Sequence, residues 1–323
     1  IKKKLIFIPM SIKNRMTMYV ESTEYLLRKN KNNAFKLIFL NPNKYLKQPN
    51  TYLYKTLKKK SFVFEYSSQF TKFILYIFIN ILERISSNRL YIYNLHNAYL
   101  NNQKPHIVFN QKELNLGENF LKTNNINNKI IIFNLRESIY YEKNTNQKLK
   151  NVENTKYFYF RNPKIDNYLD TFKYLKKHDY NVIKTGVKNN QNSNIIFNND
   201  YFDYANSRIK NDFYDIYLHY KSSFSVVGCS GSWAYSHLFN KPVVMTNDYG
   251  GPFTSTFDHD IFLPALFYDY NKERFLSFSE YCDLRIKYKT LLDSKIMDKL
   301  NLKIRHNSAD EILNATKEMI RIL

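Results

Sequence analysis

The segment Phe213–Asn247, FYDIYLHYKSSFSVVGCSGSWAYSHLFNKPVVMTN, constrains the fold more than any other part of the chain. It reads as a helix, a buried strand, a small-residue turn, a second helix and a second buried strand, which is the alternation of a parallel sheet. The turn Gly228-Cys229-Ser230-Gly231-Ser232 hands the first strand to the second helix. Small residues let backbone approach a ligand closely, and a helix N-terminus offers N–H groups to an anion. In an open α/β sheet, ligands bind beyond the carboxyl ends of the strands. Five of the six glycines lie at 186 or later, so the tight turns are concentrated in the second half. A Gly/Ser turn also forms where a chain merely reverses. No Gly-Lys-Ser/Thr or GxGxxG follows, so this is neither a P-loop nor a dinucleotide fingerprint.

The alternation extends along the whole chain. In the first half, Lys4–Pro9 and Phe35–Leu40 read as strands, Met16–Lys29 and Phe62–Arg84 as helices, His106–Asn110 as a short strand and Gln111–Thr123 as a helix. Asn124–Asn128 reads as a linker, and a strong strand, Lys129–Leu135, opens a second unit. Further strands are expected at Asn181–Thr185, Ile195–Phe197, Phe224–Val227 and Val243–Thr246. Phe278–Leu323 is expected to be mostly helical. The predicted class is α/β, with two Rossmann-like doubly wound domains facing a cleft. The N-terminal domain would span residues 1–125 and the C-terminal domain 126–323, and 323 residues suffice for two separate cores.

Two cysteines make neither a disulfide framework nor a metal set. The sequence has no HExxH, CxxC or GxSxG pattern, and its seven histidines are scattered. Net charge is +21, which would attract nucleic acid, anionic lipid or a diphosphate. A Lys/Asn/Ile/Tyr-rich composition of the kind AT-rich genomes encode accounts for the larger part of it. Lys and Arg run along the whole chain, which argues against one basic face for nucleic acid. The most apolar run, Phe73–Leu82, is half the roughly 20 residues that span a bilayer. It reads as a core helix, with a helix lying on a membrane surface as the alternative.

Arg136 emerges at the carboxyl end of the first strand of the second unit. Its guanidinium suits a two-pronged bond to phosphate, or else a surface pair with Glu137. Arg161 precedes an expected helix start at Asn162-Pro163, with Asn162 as N-cap. Lys184, near a strand end, faces either solvent or ligand.

Several short motifs share one order. They are Glu113, Gly117 and Leu121 on one helix, Arg136-Glu137-Ser138 after a strand, and Tyr159-Phe160-Arg161-Asn162 before a helix. Then come Asp179–Gly186, Asp203-Tyr204-Ala205-Asn206-Ser207 with Asp212, Asp215-Ile216, Ser230-Gly231, Phe239–Val243 and Asp260–Pro264. Together they resemble a family of glycosyltransferases encoded in bacterial surface-polysaccharide gene clusters, over residues 107 to 280. The chain departs from that pattern at Lys184, where Arg is usual, and at Ala265, where Lys is expected. The first hundred residues match poorly.

The resemblance implies a GT-B-like fold, with a nucleotide sugar in the cleft held mainly by the C-terminal half and the acceptor on the N-terminal side. A more distant similarity to fucosyltransferases that use GDP-fucose implies that Arg136 holds the diphosphate. The expected activity is metal-independent transfer of a hexosyl or deoxyhexosyl group from a nucleotide sugar to a glycan or lipid-linked acceptor. No cofactor is expected beyond the donor. The expected setting is cytoplasmic, with peripheral contact at the anionic inner face of the membrane, and nucleic acid is not an expected partner. Arg136 would stabilise the leaving group, with Glu137 or Glu113 as base. Donor contacts would come from Arg161, Asn162, Lys184, Gly186, Tyr204, Asp215, Ser230, Gly231, Ser232, Asn247 and Asp248. The rival readings are a non-catalytic glycan- or nucleic-acid-binding protein and a nucleotide-sugar epimerase of related fold.

Overall fold

A computed structural model describes residues 4–9, 35–42, 50–60, 62–66, 68, 70–71, 73–74, 77, 104–126, 129–136, 162–187, 197–198, 200–248, 259–288 and 294–323. The helix expected over Met16–Lys29 and the loop expected over Glu142–Thr155 lie outside them. Strands β1 (Lys4–Pro9), β2 (Phe35–Pro42) and β3 (Phe62–Tyr66) form a parallel sheet with β2 in the middle. β3 corrects the helix expected from Phe62. Its FVFEY sequence is rich in β-favouring residues, and it pairs with β2 from Ile38↔Phe62 to Pro42↔Tyr66. Helical conformation begins later, at Phe70 and Thr71. Between β2 and β3 lies α1 (Thr51–Lys60).

The second sheet has seven strands in the order β10-β9-β8-β4-β5-β7-β6. They are β4 (Ile130–Leu135), β5 (Asn181–Thr185), β6 (Phe197–Asn198), β7 (Tyr201–Phe202), β8 (Phe224–Gly228), β9 (Val243–Asp248) and β10 (Ile261–Pro264). All pairings are parallel except β6 with β7. β4 is buried along its whole length, as a strand covered on both faces must be. Its odd-numbered residues Ile131, Phe133 and Leu135 pack with α3 (Leu169–Lys177) and α8 (Ala309–Ile322) through Phe172, Leu175, Ile312 and Met319. Ile130 and Ile132 face the other way, toward Phe120 and Leu121 of α2 (Gln111–Thr123) and Tyr217 and Leu218 of α4 (Asp212–Lys221).

α2 packs on the seven-stranded sheet. Phe120, Leu121 and Ile126 sit in the core of the seven-stranded sheet, and a turn at Asn124-Asn125 ends α2 there. Asn125 takes φ +55 there. His106–Asn110 is not a strand; Asn110 caps α2 through a capping box with Glu113. Ile107, just upstream of α2, is buried.

The C-terminal part is not only helical. β11 (Leu266–Asp269) pairs antiparallel with β12 (Arg274–Phe275) and β13 (Leu302–Arg305). This small sheet packs with α6 (Phe278–Tyr288) and α7 (Ser294–Leu300) around Phe267, Tyr281 and Met297.

Candidate functional site

The strand order places the site. From β4 the chain passes through α3 to β5 on one side, then returns through α4 to β8 on the other. The connections leave β4 and β8 in opposite directions, so the carboxyl ends of this pair mark a topological switch point, where open sheets bind ligands. Leu135 is opposite Gly228 there. Arg136 follows one strand and the Cys229–Ser232 turn follows the other.

Gly228 permits a close crossing. A Cβ on it would stand 3.1 Å from Pro163 Cγ and 3.4 Å from the Tyr168 hydroxyl. The missing side chain lets Asn162-Pro163 lie across the strand end. Cys229 then takes φ +33, a left-handed conformation that disfavours an L side chain. Both sides of this residue are tied down. Its N–H donates to the Thr246 carbonyl at 3.2 Å, and its carbonyl accepts from Arg136 Nη1 at 3.5 Å.

Within the turn, Ser230 is half-buried, Gly231 exposed and Ser232 buried. The Ser232 N–H donates to Ser230 Oγ at 3.4 Å. The N–H groups of Ser230, Gly231 and Trp233 make no hydrogen bond among the described residues. Asn162 Oδ1 and Ser232 Oγ are buried and find no hydrogen-bond partner there either. Unpaired buried polar atoms each cost about 1–3 kcal/mol, and where they persist they call for a functional reason. The following helix α5 (Trp233–His237) has five residues, fewer than expected. So short a helix adds little dipole, and binding of an anion here falls to the turn amides and Arg136.

Asp248 ends β9 one strand further out and is half-buried. The structure gives it neighbours that sequence reasoning missed: Tyr281 and Arg285 of α6. Burial raises the Tyr281 hydroxyl pKa above its ordinary value; Arg285, hydrogen-bonded to it, pulls it down, and the Asp248 charge pushes it up. No local signal linked a helix 33 residues downstream with this corner, because the link is made by the small antiparallel sheet.

Other expected site residues have their polar groups engaged inside the protein. Lys184 is turned away from solvent: it is buried and ion-paired with Asp203 Oδ2 at 3.5 Å. Tyr204 is fully buried in the α2/α4 face, and its hydroxyl donates to the Asn211 carbonyl and accepts from the Asn211 N–H, both at 3.0 Å. Asp215 is held by Lys210 at 2.7 Å, and burial raises its carboxyl pKa against the pull of that ammonium. Glu113 uses both oxygens: Oε2 accepts from the Asn110 N–H and Oε1 from the Tyr52 hydroxyl.

Asn247 is also pinned. It takes φ +53, its N–H donates to Asn307 Oδ1 at 2.6 Å, and its Oδ1 accepts from the Asn307 N–H at 2.6 Å. Its Nδ2 donates to the Tyr168 hydroxyl, which also bonds Thr246 Oγ1. Asn162 is no N-cap: a 3-10 turn, Ile165–Tyr168, precedes α3, and Lys164 stands at the cap position. Gly186 does end β5 beside Leu135, with φ +130. Glu137 and Arg161 lie outside the described residues.

Two buried histidines are remote from this edge. His237 Nε2 lies 3.0 Å from Asp260 Oδ2, and Asp260 Oδ1 accepts from the Val243 N–H, at the amino end of β9. His219 bonds Ser236 at 2.8 Å, and burial lowers its pKa to about 3. A cavity of about 450 Å³ lined by Thr123, Lys176, Tyr180 and Asp200 also opens at the amino ends of the strands, away from the switch point. Among the described residues, no cluster of three or more His, Cys, Asp or Glu could hold a metal.

The chain superposes over nearly its full length on a glycosyl transferase family 9 structure from Veillonella parvula DSM 2008. The TM-score is 0.52 with 9% identity, covering 99% of this chain and 98% of that one. It also matches E. coli ADP-heptose LPS heptosyltransferase II, with TM-score 0.51 and 10% identity over 99% of both chains. No protein-family profile and no curated protein sequence matches. The fold is thus the GT-B arrangement of parallel-sheet α/β units. These matches lend no support to the similarity with GDP-fucose enzymes.

Proposed function

We propose that this protein is a glycosyltransferase that uses a nucleoside diphosphate sugar to build a bacterial surface glycan. One observation carries the reading: Arg136 and the Cys229–Ser232 turn meet at the switch point of a GT-B fold. One of the two similar structures is named for an ADP-heptose substrate and for lipopolysaccharide, which supports a sugar attached to a nucleoside diphosphate as the donor class.

In the proposed reaction an acceptor hydroxyl attacks the anomeric carbon. The bond from that carbon to the diphosphate oxygen breaks, and the nucleoside diphosphate leaves with the electron pair. Arg136 and the amides of Ser230, Gly231 and Trp233 stabilise the charge that develops on it. Asp248 ends the neighbouring strand β9, with Tyr281 and Arg285 beside it. Lys184, Tyr204, Asp215, Asn247 and Glu113 are left out of the donor site because their polar groups are engaged internally.

The test is thermal stabilisation by a panel of nucleotide sugars and free nucleoside diphosphates. A ligand at 100 times its Kd stabilises by about 2.7 kcal/mol. One nucleotide sugar and its nucleoside diphosphate are expected to raise Tm, and the free sugar is not. If no nucleotide raises Tm while a glycan or an oligonucleotide does, the reading fails.

A further inference from the structure

The seven-stranded sheet has a second concavity at the end opposite Arg136. β7 is two residues long and pairs with β5 at one position, Ile183↔Phe202. On the amino side of that pair the strands part, and the cavity of about 450 Å³ opens there. Cavities that hold small ligands are roughly 300–1,000 Å³. Its buried lining is apolar, from Ile126, Val182, Ile183 and Phe202. Around this stand Thr123, Asn125, Lys176, Tyr180 and Asp200, all exposed or half-buried. Their side-chain polar groups make no hydrogen bond or ion pair among the described residues.

The charge and chemistry of the lining select the ligand. α2 ends at Thr123 and α3 at Lys177, so both helices turn their carboxyl ends, with partial negative charge, to this end of the sheet. Asp200 adds a full negative charge, and Lys176 offsets it. An anion is disfavoured here although the whole chain carries +21. A cation would be repelled by that net charge, and the Lys129 ammonium already lies over the Tyr180 ring, 5.7 Å from its centre. A purely apolar ligand would cover amide, hydroxyl and charged groups without pairing them. A neutral ligand rich in hydroxyls satisfies every part. Its O–H groups donate to and accept from the five side chains, and its C–H faces lie against the apolar and aromatic lining. That chemistry is a sugar's.

We propose that this cavity binds a short stretch of a neutral glycan chain, as a docking site separate from the switch point. Its purpose, keeping a growing chain on the enzyme, rests on the glycosyltransferase reading; its binding chemistry does not.

The test is a ligand-observed NMR titration of the full chain with neutral hexasaccharides of glucose, galactose and N-acetylglucosamine. At least one is expected to bind, and inorganic diphosphate is not expected to displace it. No binding by any of the three, or displacement by diphosphate, overturns the proposal. Asn125→Gly combined with Lys176→Ala should keep the wild-type Tm, since Asn125 has φ +55 and glycine adopts that conformation freely. The double variant should bind about tenfold or more weakly, having lost two hydrogen-bonding side chains. Equal binding by it overturns the proposal, and loss in Gly231→Val instead would move the glycan to the switch point. A second readout does not depend on the double variant. In Tyr180→Trp, the bound hexasaccharide should shift indole emission beyond any change in the wild type, whose one tryptophan is Trp233; an equal response overturns the proposal. Hexasaccharide binding at this cavity while every nucleotide leaves Tm unchanged would support the site and sink only the transfer reading.

Discussion

Arg136, at the end of β4, reaches across the switch point to the carbonyl of Cys229, at the end of β8, with Nη1 3.5 Å from the oxygen. One residue thus joins the two halves of the doubly wound sheet at the place where its connections diverge. If the guanidinium also meets a diphosphate, Arg136→Ala should lower transferase turnover roughly 10- to 150-fold, the equivalent of a charged hydrogen bond of about 1.5–3 kcal/mol. Arg136→Lys should recover part of that, since one ammonium lacks the two-pronged geometry. Near-normal turnover in a normally melting Arg136→Ala protein would assign this residue to holding the turn alone.

Gly231 is exposed, and its own N–H and that of Ser230 make no hydrogen bond among the described residues. A branched side chain there should block backbone approach without disturbing the core. Gly231→Val is expected to keep its Tm and to lose about tenfold or more in donor affinity, roughly 1.4 kcal/mol, by calorimetric titration. Unchanged affinity would move the donor away from the turn.

Lys184 and Asp203 make the opposite case. Both are buried, and Asp203 also accepts from Asn206 Nδ2 at 2.7 Å while holding the turn Tyr204–Asn206. Lys184→Met strands a buried carboxylate and should cost about 3 kcal/mol or more in urea unfolding. Donor affinity of the folded fraction should not change; a selective loss of affinity at full stability would restore Lys184 to the donor site.

Asn307→Ala removes the acceptor for the Asn247 N–H and the donor to the Pro264 carbonyl. The buried Asn247 N–H loses its partner, while the carbonyl of exposed Pro264 can turn to water, so a loss of about 1 kcal/mol or more is expected in urea unfolding. A change within a few tenths would show that water replaces the asparagine.

His219 gives the acid limb of the stability curve. Its folded pKa, about 3, lies below the ordinary value of 6.5. The unfolded chain therefore binds the extra proton. The contribution is fully present above pH 6.5 and is lost progressively as pH falls toward 3. The expected slope is up to about 1.4 kcal/mol per pH unit. His219→Gln should flatten denaturation midpoints measured between pH 6.5 and 4; an unaltered slope would mean that other groups set the acid limb.

The inner strands were legible because their apolar runs are short, continuous and bounded by Gly, Asn or Pro, as in Ile130–Leu135 and Val243–Asp248. The capping box of α2 and the ligand-side turn follow from local chemistry too. Phe62–Tyr66 was misread because five apolar-rich residues running into a helix carry both periodicities, and only pairing with β2 decides. Lys184 and Asn247 were read as ligand contacts because strand-end position is visible in sequence while the partner is not. Asp203 lies 19 residues from Lys184, and Asn307 lies 60 from Asn247. Tyr281 and Arg285 were missed for the same reason.

The Asn247–Asn307 pair also sets a schedule. A chain emerging from the ribosome completes β4, β5, β8 and β9 while residue 307 is still unmade. Until it arrives, the left-handed end of β9 lacks its clasp. The face that Ile312 and Met319 cover stays open until the final turns of α8 are made. Residues 307 to 319 therefore finish the edge that the strands began, and a nascent chain that lacks them has that edge unfinished.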